Sequence, residues 1–261
     1  MQSISVCNSQ TDVTMKQTST YLTIALTAII TNCIFLSANC QNKSKLTMMA
    51  PAPVHDKVLT AEEQKSLTPD MILQSLQEGN KRFVNNNLTY RNHSAMVRKA
   101  AAGQYPKAVV ISCIDSRVPV EDLFDKGIGD LFVGRVAGNF VNEDLLGSLE
   151  YSCKVAGAKV IVVLGHASCG AIKAAIDTVK LGNITAMLTK IEPAVAQAQD
   201  FPGEKTSRNY VFVDYVAKKN VLRNIEVIRA QSPILKEMEA KGEIKIVGAF
   251  YSLKTGEVTF L

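Results

Sequence analysis

Tryptophan is absent from this 261-residue sequence, histidine occurs only three times, and aromatic residues amount to 6%. No run of Lys or Arg stands out. Basic residues are scattered among Asp and Glu, so the formal net charge of +5 describes a solvated surface and not a nucleic-acid-binding patch. Internal repeats and low-complexity segments are also missing. Nor is there an apolar run of the about 20 residues that a comfortable membrane span needs. What remains is an ordinary globular composition, 47% hydrophobic and 20% charged, enough for one substantial core.

The longest apolar stretch is "YLTIALTAIITNCIFL" at 21–36, interrupted by Thr and Asn. Met15 and Lys16 lead into it, and Ser37, Ala38 and Cys40 follow, the arrangement of a secretory h-region. "LSANC" resembles a lipobox, with Asn39 as its departure from the pattern. Three outcomes stay open: a cleaved signal, a lipid on Cys40, or an uncleaved anchor. Each places the protein outside the cytoplasm, periplasmic or lipid-anchored to a bacterial membrane, with membrane attachment only through the leader or Cys40. Residues 1–40 thus read as a leader, 41–58 as a flexible Pro-containing linker and 59–261 as the folded domain, with a helical arm over 59–103.

The cysteine count argues against a disulfide framework. Of six cysteines, Cys7, Cys33 and Cys40 fall in the leader region, which leaves Cys113, Cys153 and Cys169. An odd trio needs an explanation other than bridging.

The domain's periodicity supplies the setting. Thr68 and Pro69 open a helical pattern over 66–87, and a short basic helix covers 94–103. "KAVVIS" (107–112), "DLFVGRV" (130–136) and "AKVIVVLG" (158–165) read as strands buried on both faces. Helical patterns at 142–157, 169–182 and 207–231 separate and follow them, and "EIKIVGAFYSLKTGEVTFL" closes the chain as strand, turn, strand. The alternation predicts one α/β domain: a mainly parallel central sheet flanked by helices, with an N-terminal helical arm and a C-terminal antiparallel hairpin.

In such sheets ligands bind beyond the carboxyl ends of strands. Two motifs lie there. "SCIDSR" (112–117) places Cys113, Asp115 and Arg117 on alternate positions, and "GHASCG" (165–170) supplies His166 and Cys169, bracketed by Gly165 and Gly170. Two thiolates and an imidazole make the donor set of a zinc site with an open fourth position. A nucleophilic thiolate activated by His166 is the rival chemistry, and it leaves one cysteine unexplained.

Taken with "DLFDKGIGDLFVGRVAGNFV" and "LGSLEYSCKVAGAKVIVVLGHASCGAIKAAI", these motifs resemble the β-class carbonic anhydrases, from about Leu67 to the C-terminus. The bacterial branch that includes mycobacterial enzymes is the most similar. That resemblance implies one Zn²⁺ per subunit on Cys113, His166 and Cys169, and reversible hydration of CO₂ to bicarbonate and a proton by zinc-bound hydroxide. Asp115 would orient the hydroxide, or close the site as a fourth ligand, and Arg117 would hold it in the open position. Gln104, Phe132, Ala137, Tyr151 and Gly170 match substrate-pocket positions, the tyrosine coming from a partner in a homodimer or tetramer whose pocket lies at the interface. Arg135 matches an arginine of the branch with a second, inhibitory bicarbonate site. Val110 stands where that branch has Trp, so no such site is expected. Hydrolysis of CS₂ or COS on the same fold, and zinc binding without catalysis, are the alternatives.

Overall fold

The structure, a computed structural model, describes residues 55–261, so the leader and most of the linker lie outside the described residues. Strands β1 (Ala108–Ser112), β2 (Leu131–Arg135), β3 (Val160–His166), β4 (Lys245–Tyr251) and β5 (Val258–Phe260) form one sheet in the order β2-β1-β3-β4-β5. The first four are parallel and β5 returns antiparallel to β4. Every residue of β1 and β3 is buried, as expected of strands covered on both faces. The third expected strand differs. β2 lies at the sheet edge and is only partly buried, since a single neighbour covers it.

Alternation along the strands sends side chains to two cores. Val109, Ile111, Ile161 and Val163 face Val221, Ile225 and Ile228 of the long helix Tyr210–Gln231. Ala108, Val110, Val162 and Leu164 face Ile72 and Leu76 of the helix Pro69–Val84, with Leu123 and Phe124 beside them. Burying each such aliphatic side chain contributes about 1.5–3 kcal/mol. The Pro69–Val84 helix starts as the sequence indicates, with Thr68 accepting from Met71 N–H. Its apolar face packs within its own chain.

The remaining helices, in chain order, are α1 (Ala61–Ser66), α2 (the Pro69–Val84 helix), α3 (His93–Ala100), α4 (Val120–Leu123), α5 (Glu143–Glu150), α6 (Gly170–Ile176), α7 (Gly182–Leu188), α8 (Glu192–Ala196), α9 (the Tyr210–Gln231 helix) and α10 (Pro233–Ala240). Two sequence expectations are corrected here. The pattern at 142–157 is α5 followed by a π-helical turn, Tyr151–Val155. The pattern at 169–182 breaks after Ile176, and a second helix begins at Gly182. Cys153 is buried beside Leu146 and Leu149, and burial pushes its thiol up to about 12, so it serves as a core hydrophobe.

Asp125 ties the segment after α2 to the sheet. Its side chain is fully buried and takes Arg82 Nε at 2.5 Å, Arg91 Nη1 at 2.6 Å and the Thr89 hydroxyl at 2.6 Å. Burial alone would raise its pKa, but these hydrogen bonds outweigh it and hold the carboxyl at about 2. A folded pKa below the unfolded value of about 3.9 stabilises above that pH and is lost as pH falls toward 2. Asp125→Asn, tolerated at this left-handed position (φ 47°), should cost about 2–3 kcal/mol at pH 7 and flatten the loss of stability between pH 4 and 2. Urea titrations across that range check both.

Candidate metal centre

Cys113 directly follows β1 and His166 ends β3, so their neighbouring strands bring them side by side. Cys169 precedes α6 after a two-residue turn through Ala167 and Ser168. The two Sγ atoms lie 4.0 Å apart, and the ligand atoms of Cys113, His166 and Cys169 all lie within 4.8 Å of one another. All three side chains are buried.

These residues fit a metal on a structural ground. His166 Nδ1 lies 2.9 Å from the Ala167 carbonyl, which needs a proton on that nitrogen and leaves the Nε2 lone pair free. That buried Nε2 has no hydrogen-bond partner among the described residues, and it faces the thiols. The Cys113 thiol is held well below its ordinary value, first by the hydrogen bond from Cys169, with His166 and the Gly138 N–H adding to it. The hydrogen bond with Cys113, then burial and the Cys113 charge, push the Cys169 thiol up. Two sulfurs and an aimed imidazole form a tetrahedral site's three donors, and a bound cation would be what draws the proton from Cys169.

Asp115 faces the same space. Its Oδ2 lies 3.9 Å from His166 Nε2, while Arg117 holds the carboxylate through Nε to Oδ1 at 2.9 Å and Nη2 to Oδ2 at 2.7 Å. The Arg117 bonds also keep the carboxyl well below the usual carboxylate range. The structure therefore shows Asp115 paired to Arg117.

Two residues outside the motifs shape this group. Arg135 donates to the carbonyls of Cys113 (2.8 Å) and Asp115 (2.6 Å), fixing the backbone from which thiolate and carboxylate project. Asp214, in the second turn of α9, accepts the Ser168 N–H at 2.8 Å. Ser168 is left-handed (φ 54°), strain for a non-glycine residue, so that bond holds the turn between His166 and Cys169. Sequence reasoning missed Asp214 because 46 positions separate the partners and no motif links them. Asp214→Ala should weaken metal binding about 10–100-fold, with Asp214→Asn less affected, in chelator competition.

The expected pocket residues divide. Ala137 precedes Gly138, whose N–H reaches Cys113 Sγ at 3.4 Å, and Gly170 is exposed directly after Cys169 with open space where a Cβ would sit. Gly165 permits the approach of α9, since a Cβ there would lie 2.7 Å from Val221 Cγ2. Phe132 and Tyr151 pack edge to face, centroids 6.3 Å apart, in a cavity of about 630 Å³ with Val109 and Ile111. Phe132 is in register with Val109, four residues before Cys113, a separation of about 13 Å along the strand. Gln104 is exposed before β1. Within one chain these three do not join the ligand group.

The comparisons with known proteins match this geometry. A family model described as carbonic anhydrase matches residues 108–258, which include both motifs. The chain belongs to the carbonic anhydrase family. It is 37% identical over 188 residues to carbonic anhydrase 2 of Mycobacterium tuberculosis, covering 70% of this chain and 87% of that one. Identity to the carbonic anhydrase of Mycolicibacterium smegmatis is 34%, covering 70% and 89%. Among solved structures, the Coccomyxa β-carbonic anhydrase in complex with acetazolamide superposes with TM-score 0.56 at 26% identity, covering 73% of this chain and 84% of that one. Tetrameric β-carbonic anhydrases of Sordaria macrospora share the fold, at TM-score 0.58 and 23% identity, over 72% and 94%. The class is therefore β, and the enzyme a carbonic anhydrase.

Proposed function

We propose that this carbonic anhydrase hydrates CO₂ at a zinc ion held by Cys113, His166 and Cys169, with Asp115 and Arg117 as its catalytic pair. A zinc ion in that donor set supplies a Lewis acid that lowers the pKa of coordinated water far below about 15.7. The supporting observation is the Asp115 carboxylate, which opens onto the ligand group while Arg117 holds both its oxygens. So placed, Asp115 would accept a hydrogen bond from a water at the ligand group and orient it toward CO₂. Arg117 keeps the carboxylate ionised and prevents it from taking the open coordination position. Ala137 and Gly170 leave small apolar surface beside the ligands, suited to a substrate without net charge or dipole.

The rest of the pocket calls for a second subunit. Tyr151 is half exposed and, with Phe132, lies away from its own chain's ligand group, so a homodimer or tetramer with the pocket at the interface would use both. We extend the proposal to export, periplasmic or by a lipid on Cys40, which intact mass of the mature N-terminus tests. For the activity, the chain purified from residue 41 should carry one zinc per subunit and hydrate CO₂ in stopped-flow assays. Bound zinc without hydration would overturn the reading.

A further inference from the structure

At the other end of the sheet lies a second polar cavity. Lys107 directly precedes β1 and Cys113 directly follows it, so this region is about 20 Å from the metal ligands along the strand. The cavity, of about 250 Å³, lies between α2, the segment 89–91 and the 124–130 loop. Lys57, Arg82, Arg91, Lys107 and Lys126 line it together with Asp125 and Asp130, five cations against two carboxylates, and Lys57 is paired with Glu63 at 2.5 Å.

Lys126 is the anomaly. The residue is only 7% exposed, yet among the described residues it makes no ion pair, and its single hydrogen bond runs to the neutral Ser75 carbonyl at 3.0 Å. The two carboxylates whose charge reaches it are already taken. Asp125 is held by Arg82 and Arg91, and Asp130 by Lys107 at 2.7 Å and the Gly127 N–H at 2.7 Å. A buried ammonium without a counter-charge is costly. Burial, then the charges of Lys107 and Arg82, push Lys126 down to about 8, so the amine is still protonated at neutral pH.

We infer that this cavity binds a small divalent oxyanion of the phosphate or sulfate type, with Lys126 and the neighbouring arginines as its counter-charge. With Lys57 neutralised by Glu63, the remaining surplus of two positive charges matches such an ion, and the cavity volume admits one. The ion would lock α2 to the 124–130 loop, as a ligand that binds only the folded state stabilises it.

Thermal unfolding of the full chain is the test. At constant ionic strength, about 20 mM phosphate or sulfate should raise the midpoint by about 5 °C over chloride, and bicarbonate by less. In Lys126→Met, neutral and of similar length, that rise should vanish; Lys126→Gln serves if the methionine variant does not fold. The inference falls if neither anion exceeds chloride, or if the rise persists in the folded variant. Persistence would place the anion elsewhere, the metal centre included.

Discussion

Replacement of Cys113 by alanine should leave the protein folded but nearly free of zinc, with CO₂ hydration reduced to background. One of three buried donors then disappears, and among the described residues no other thiol, imidazole or carboxylate joins the group except Asp115, which Arg117 holds. Zinc affinity should fall by more than the about 10–100-fold typical of outer-shell changes. Zinc stoichiometry after gel filtration and stopped-flow hydration check this together. Retention of both zinc and activity would show the ligand assignment to be wrong. Folding should survive because β1, β3 and the two cores around them do not depend on that thiol.

The second large effect separates Asp115 from the metal ligands. Asp115→Asn keeps shape but removes the charge that Arg117 pairs with, so zinc should remain while kcat/KM falls about 10²–10⁴-fold. Arg117→Ala should also retain zinc. It frees a carboxylate whose Oδ2 is already 3.9 Å from His166 Nε2, so that carboxylate should move into the open coordination position. Chelator competition should then show equal or tighter zinc binding in Arg117→Ala despite lost activity. Weaker binding in that variant would argue against the holding role of Arg117.

Much of the centre was legible because its chemistry is local. Cys113, Asp115 and Arg117 sit two positions apart, and His166 and Cys169 three apart, each set at the end of an apolar β-branched run. The parallel sheet followed from the same runs, and β1 and β3 are as buried as their composition suggests. Helix boundaries were less legible. Nothing in the 142–157 pattern announces a π-helical turn, and the break after Ile176 is not marked by proline.

The sequence by itself therefore determined the Cys-His-Cys group, the strand ends that carry it and the Asp115–Arg117 spacing, since residue type and spacing along one backbone define these. Only the tertiary structure decided that β2 is an edge, that Phe132, Tyr151 and Gln104 stand away from their own chain's ligands, and that Asp214 and Arg135 brace the ligand backbone. The uncompensated charge on Lys126 likewise emerged only in three dimensions. These are contacts between residues far apart in the chain, fixed by strand register and by which charges claim each other first, and no local pattern encodes them.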